Sequence, residues 1–301
     1  MTASAPSSNG AQPTLELRQF TLRSAAQWAS PVSVCSHAAR IGLVGDWQPL
    51  FELLSGRGQA LGGSAQVLGC ELESAIARGI LGFAACDVPL PGSFTVTEYL
   101  EHAARLSHGS LRRAEREAQR ALDRYGLGEL AKRKLAQLVL YQRRALGIAV
   151  STLTAPPVVC LEAPVRGLDA PSTVYITQLC REASAHSRVI LSSALPNAAS
   201  AERSLLEACD ELFVSRLGTK VTHGAPSQIF AGSTHYGITV KGAQIAAFAQ
   251  ALSGAGVRLE PRAEAGSFNA ELPENGSSDL LLDAALDHGL IVLELEPSWV
   301  R

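Results

Sequence analysis

The sequence predicts an α/β protein in two parts: a large domain of alternating strands and helices, then a small α+β domain of order β-α-β-β-α-β. Three observations carry this expectation. Short apolar runs alternate with helix-period segments across residues 14–232. The stretch "RIGLVGDWQPLFELLSG" (40–56) reads as a buried strand, a glycine turn and a helix. From residue 233 the character changes, and two helical patterns fall between strand patterns.

Taken in order, "LELRQFTLR" alternates strongly, and "ARIGLVG" is a continuous apolar run bounded by a turn. "WQPLFELLSG" follows as a helix stopped by Gly56. "SAQVLG" and "RGILGFAAC" read as further strands. From Val96 to Gly126 the pattern is helical, with a charged face in "LRRAEREAQRALDRYGLG", and a second helix covers roughly residues 135 to 153. "PPVVCLEAP", "RVILSSA" and "ELFVSRLGTKVTHG" then read as strands separated by helical segments. In the last part, "GITVKG", "GAQIAAFAQALSGAG", "VRLEPRAE", "SFNAELP", "SSDLLLDAALDHG" and "LIVLELEP" give the small helix-on-sheet unit.

With 301 residues, 47% of them hydrophobic, the chain can bury a sizeable core. A net charge of −2 supplies no basic field for nucleic acid. Six scattered cysteines (Cys35, Cys70, Cys86, Cys160, Cys180 and Cys209) form no CxxC and read as buried free thiols rather than a metal site. His102, His108, His186, His223, His235 and His288 lie in dissimilar contexts with no ligand spacing, so no metal is expected. Residues 1–13, "MTASAPSSNGAQP", lack the basic start and apolar centre of a signal peptide and read as a disordered tail. The most apolar long run, "ALGIAVSTLTAPPVVCL" (145–161), carries Ser, two Thr and Pro-Pro and falls short of a membrane span.

Several of these segments keep a common order and spacing. "LLSGRGQALGGSAQVLGCEL", "LGFAACDVPLPGSFTVTEYL", "RVILSSA" and "VTHGAP", taken with the strand-turn-helix at 40–56, resemble the nucleotide-binding domain of ABC transporters. The likeness is greatest to the single-domain ATPase subunits of bacterial export systems. It implies a P-loop NTPase-like ABC ATPase domain over residues 14–232, with a helical subdomain at about 96–145. Residues 233–301 look like the small accessory domain that some of those subunits carry.

Residue by residue, the resemblance departs from the family where the chemistry lies. The family turn, G-x-x-x-x-G-K-S/T, wraps phosphates with backbone amides, neutralises them with Lys and holds magnesium through the hydroxyl. Here only Gly45, Asp46 and Trp47 stand in its place, with no lysine, and the stretch from Gly45 to Gly56 is four residues shorter than the family pattern. Asp46 is expected to cap the helix through its carboxylate, with Pro49 tolerated in the first turn. A phosphate would then meet a like charge, worth about 1 to 4 kcal/mol at roughly 4 Å depending on the dielectric.

The family's adenine-stacking aromatic falls on Ser24, with Trp28 nearby as a substitute or simply a packing residue. The Q-loop glutamine falls on Cys86. The signature L-S-G-G-Q falls on "LVLYQ" (138–142), where Val139, Leu140 and Tyr141 replace the small residues that permit close backbone approach, while Gln142 fits. Glu162 stands where an aspartate orients the magnesium water, and Ala163 where a glutamate polarises the attacking water. Loss of a positioned base typically costs about 10²–10⁴-fold. The switch histidine falls on Ala194. Asp169 occupies the D-loop position in "RGLDAPS", which lies at the dimer interface in the family and is equally an ordinary helix start.

The resemblance therefore implies a catalytically inactive homologue of an ATP-binding subunit, with ATP and magnesium no more than weak ligands. The implied partners are an intact ABC ATPase subunit, a multi-span membrane subunit or both, in a homo- or heterodimer in the cytoplasm or at the inner face of the membrane. Tyr141, Gln142 and Asp169 are the candidate interface residues. Two alternatives stay open: a subunit with residual nucleotide binding or hydrolysis, and a soluble scaffold unrelated to transport.

Overall fold

The computed structural model describes residues 12–22, 31–58, 60–87, 89–194, 201–215, 221–231, 235–262, 264–273, 276 and 278–297. Trp28, Ser24 and all of the 1–13 tail except Gln12 and Pro13 lie outside the described residues. The chain divides into two compact units, residues 1–194 with 208–221, and residues 195–207 with 222–301.

In the first unit, an antiparallel sheet is built from β1 (Leu15–Leu22), β2 (Val32–Ser36), β4 (Ala60–Val67) and the short β5 (Cys70–Glu71), in the order β2-β1-β4-β5. Between β2 and β4 the chain enters a parallel sheet through β3 (Arg40–Gly45) and α1 (Gln48–Leu54). After α2 (Leu72–Ala77) come β6 (Leu81–Ala84), the helices α3 (Val96–His108), α4 (Leu111–Arg124) and α5 (Leu140–Ser151), β7 (Val158–Leu161), α6 (Ala170–Ser184) and β8 (Arg188–Ser193). With β9 (Glu211–Ser215), the parallel strands of this unit run β9-β3-β8-β7-β6. The expected α/β architecture is present.

Both sheets bury their facing sides on α1. Leu17, Phe20 and Val67 from one sheet and Ile41, Leu43, Cys160 and Phe213 from the other meet Trp47, Leu50, Phe51 and Leu54 in one cluster. β7 is buried on both faces, as its unbroken "VVCL" requires of a central parallel strand.

The helical stretch expected from Val96 to Gly126 is two helices rather than one. α3 opens on a capping box, in which the Thr95 hydroxyl accepts from the Glu98 N–H and the Glu98 carboxylate accepts from the Thr95 N–H. It ends at Gly109 in the left-handed region (φ +66°), and α4 restarts after Ser110. The second helix expected over 135–153 is a short 3-10 turn at Leu135–Gln137 followed by α5. The expectation of six buried thiols also needs correction: Cys35 is exposed and Cys70 half-buried, because each lies in the four-stranded sheet rather than in the central one.

The second unit contains α7 (Ala201–Glu207), β10 (Thr222–Gly224) and α8 (Pro226–Ala231). Its larger part follows the order β11 (His235–Lys241), α9 (Ile245–Gly254), β12 (Arg258–Pro261), β13 (Ser267–Glu271), α10 (Asp279–Asp287) and β14 (Ile291–Pro297). The strands pair antiparallel as β12-β13-β11-β14, and Ile238, Phe248 and Leu281 are fully buried in the core they share with the two helices. Among the described residues, no helix is long and apolar enough to cross a membrane.

Candidate functional site

The C-terminal edge of a parallel sheet is where open α/β folds place their ligands. In this chain that edge is formed by Gly45, Ser193 and Ala194, Glu162 and Ala163, and the segment from Ala84 to Cys86.

The turn after β3 is closed by backbone pairing. Gly45 has φ +92°, and a Cβ there would collide with the Ser215 carbonyl. The Asp46 N–H donates to that same carbonyl at 3.1 Å, and the Trp47 N–H to the Gly45 carbonyl at 2.9 Å. In α1 the Leu50 and Phe51 amides both donate to the Trp47 carbonyl, and Pro49 has no N–H. Among the described residues, the Gln48 N–H is thus the one amide of residues 46–51 without a backbone partner.

The cap expected of Asp46 does not form. Trp47 holds the N-cap position and no side chain caps the helix. The reason is that the Asp46 amide extends the pairing with β9 by one residue, so α1 begins one residue later than a capping Asp46 would need. Trp47 is fully buried, and its indole Nε1–H donates to the Phe213 carbonyl at 3.1 Å.

Across the sheet edge, the Glu162 carboxylate accepts from the Cys86 N–H at 3.2 Å and lies 3.8 Å from the Arg57 guanidinium. The Cys86 thiol contacts the Ala163 carbonyl at 3.7 Å. Burial pushes that thiol above its ordinary pKa, although Arg144 and Arg166 pull the other way. Ala163 sits at φ +39°, held by its N–H donating to the buried Ser192 hydroxyl at 2.9 Å. Its methyl group cannot carry a proton. Behind Cys86, Asp87 receives Arg166 at 2.9 Å and the buried Arg144 at 3.5 Å. A cavity of ≈ 310 Å³ opens beside these residues and is lined also by Tyr99, Leu140 and Arg143.

The candidate interface residues form a second group. Gln142 accepts from the Val139 N–H at 3.2 Å and so caps α5, while Tyr141 packs edge-on against Tyr175 of α6, ring centroids 5.9 Å apart. Asp169 caps α6, its carboxylate accepting from the Ser172 N–H at 2.8 Å. Hydrogen bonding from the Ser172 hydroxyl, and then from its N–H, holds the Asp169 carboxyl below its usual pKa. Tyr141 and Gln142 line, with Ser172 and Tyr175, a cavity of ≈ 510 Å³.

The structure therefore gathers Gly45, Asp46, Trp47, Cys86, Glu162, Ala163 and Ala194 along one sheet edge, and Tyr141, Gln142 and Asp169 at two adjacent helix starts. Sequence reasoning missed Ser215, Ser192 and Arg57. Arg57 was the most findable of these, being a cation between two glycines directly after the helix.

No known family profile matches the chain. Over 168 residues it is 25% identical to the ABC transporter ATP-binding protein YxlF of Bacillus subtilis, a match covering 56% of this chain and 54% of that protein. A shorter match, 37% identical over 92 residues, covers 30% of this chain and 28% of the daunorubicin resistance ATP-binding protein DrrA3 of Streptomyces coeruleorubidus. The solved structure of cbiO1 from Clostridium perfringens, part of the ABC transporter complex cbiONQ, superposes with a TM-score of 0.61 at 18% identity. That superposition covers 73% of this chain and 91% of the other. The fold is that of an ABC ATPase domain. The chain spans about half the length of YxlF and less of DrrA3. At its sheet edge the turn after β3 carries no lysine, and its Asp46 and Trp47 amides donate to protein carbonyls.

Proposed function

We propose that this chain is a non-hydrolysing homologue of ABC transporter ATP-binding subunits that acts by binding. Its partner is an intact ATPase subunit, or a multi-span membrane subunit, of a transporter at the cytoplasmic face of the membrane. One observation carries the reading: the turn at Gly45–Trp47 donates its amides to Ser215 and Gly45 and seats an indole in the core, leaving a single amide and no lysine for a phosphate. Ala163 and Ala194, where the family places its base and switch histidine, support the same conclusion.

The cavity beside Cys86 and Tyr99 is a suitable seat for a membrane subunit. The paired helix starts at Tyr141, Gln142 and Asp169 are the face for a second ATPase subunit. The test has two arms. Calorimetric titration with Mg-ATP is expected to show no binding tighter than about 100 μM, about −5.5 kcal/mol. Affinity purification from native membranes and cytosol is expected to bring down an ABC component. A monomer with and without ATP that co-purifies with no such component would overturn the proposal.

A second reading, residual nucleotide binding, draws on Arg57, a cation that reaches the sheet edge and lies 3.8 Å from Glu162. Tight Mg-ATP binding lost in Arg57→Ala would favour it.

A further inference from the structure

Exposed apolar side chains gather at one place in the second unit. Of the eleven large exposed hydrophobics among the described residues, four lie between residues 282 and 293: Leu282 (41% exposed), Leu286 (78%), Ile291 (63%) and Leu293 (62%). The sheet of this unit ends on one side at β14, which opens on Ile291, Val292 and Leu293 and whose outer edge has no strand partner among the described residues. A bulge opposite Thr239 and Val240 leaves Leu293 outside the ladder with β11. The opposite edge, β12, is short and carries Arg258, Glu260 and Pro261, which deter a further strand.

Helix α10 brings two of the four side chains to the same edge. It leads from β13 into β14 and packs on β14. Leu281 and Ala285 form its buried face. One residue further on, about 100° around the helix, Leu282 and Leu286 form a flank. The right-handed sense of such crossovers turns that flank toward the outer side of β14. Asp279, Asp283 and Asp287 recur at helical spacing on the side away from the sheet, so the flank itself is uncharged. Strand edge and helix flank together make one apolar strip about 24 Å long and roughly 15 Å high.

We propose that this strip joins two copies of the chain about a two-fold axis, β14 against β14 antiparallel, with the two α10 flanks side by side along the seam. Such a contact uses the same surface on both copies and closes on itself, leaving no free edge at β14. Charge selects a second copy as the occupant. Lys241 pairs with Ile291 in the sheet. With Ile291 set opposite Glu294 of the second copy, Lys241, Ile291 and the second copy's Glu294 fall in one row, and the two-fold axis repeats that row. Strands about 4.8 Å apart leave the ammonium and the carboxylate within reach of each other across the isoleucine. Glu294 is already on that sheet face, where it accepts from the Thr239 hydroxyl at 3.2 Å. In the same register Glu294 meets no carboxylate directly opposite. Area sets the strength. A footprint on the order of 400 Å² a side is below the roughly 800 Å² of stable pairs, so the dimer is a weak one, with a dissociation constant of about 10–100 μM. The strip is separate from the turn after β3, and its failure would leave the reading proposed above untouched.

The test is sedimentation velocity of the full chain from about 1 to 200 μM, which is expected to show a monomer–dimer equilibrium that stops at two. Ile291→Lys/Leu293→Lys, which sets two charges on the strand edge, is expected to raise the dissociation constant about tenfold or more. Leu106→Lys/Leu111→Lys, the same change at exposed leucines of the first unit, is expected to leave it unchanged. Lys241→Glu is expected to weaken pairing several-fold, and Lys241→Glu/Glu294→Lys to restore it. Hydrogen exchange of the wild-type chain is expected to slow at the amides of residues 291–295 as concentration rises through the transition. A monomer throughout that range would overturn the proposal and leave the edge to a different protein. Species growing past the dimer, a dimer untouched by the edge lysines, or a charge swap that restores nothing would overturn it too. If the edge variant does not fold, the charge swap and the wild-type exchange still decide, because association without added protection at 291–295 is incompatible with strand pairing.

Discussion

Trp47 and Phe213 are joined by a hydrogen bond of 3.1 Å from the indole Nε1–H to a main-chain carbonyl, linking the first residue of the α1 cap to the neighbouring strand β9. Strand pairing places Phe213 opposite Leu43, so the bond reaches back under the turn that follows β3. The turn is thereby pinned from below by a side chain and from beside by the Ser215 carbonyl.

Truncation of that anchor should be costly. Trp47→Ala is expected to lower stability by about 3–5 kcal/mol, through lost burial and an unfilled space between the sheets. Trp47→Phe keeps most of the apolar volume but strips the donor, and is expected to cost about 1–3 kcal/mol. Urea unfolding of the two variants measures both. Wild-type stability in each would mean the indole anchors nothing.

Restoring charge alone should not restore nucleotide affinity. Asp46→Lys puts a cation at the turn, yet the Asp46 and Trp47 amides stay bonded to the Ser215 and Gly45 carbonyls. Mg-ATP affinity by calorimetry is expected to remain weaker than about 100 μM, about −5.5 kcal/mol. Binding in the micromolar range would show that the used-up amides are not what matters.

Sequence and structure differ most at this turn. The strand, the glycine and the helix were legible, because an apolar run ending in Gly45 and a helix ending in Gly56 are local signals. That Trp47 and not Asp46 would hold the cap position was not. The choice depends on the Phe213 carbonyl, 166 residues further along the chain, which accepts the indole N–H. The break at Gly109 is visible as "SHGS", a glycine followed by a serine at a helix restart, yet both flanking segments are helix-period and so read as one stretch. Arg57 carried a local oddity, a cation between glycines, but its partner Glu162 comes from a different strand and left no mark nearby.

Acid should weaken the attachment of β3 to the segment before β9. Burial works to raise the Asp210 pKa, but hydrogen bonds from the Arg40 side chain and backbone outweigh it, and the folded-state value is lowered. The contribution is therefore present above the unfolded-state value of about 3.9 and is lost as pH falls through the lower folded value. Asp210→Asn is expected to be less stable than wild type at pH 7, with the gap closing as pH drops below about 4. Thermal unfolding across pH 3–7 reads this, and a gap that widens in acid would contradict it.

Thiol chemistry should sort by position. Burial pushes Cys160, Cys180 and Cys209 up to about 12, so they carry almost no thiolate at neutral pH. Alkylation of the native chain followed by mass spectrometry is expected to mark Cys35 first and Cys70 next, with those three labelled only after unfolding. Early labelling of Cys160 would mean that the central strand β7 opens readily.

Gly45 has a further consequence for how such chains evolve. Any side chain at this position strikes the Ser215 oxygen, so selection for folding alone will preserve the residue. A glycine at this point of a strand-turn-helix is thus demanded by backbone sterics whether or not any anion ever binds beside it.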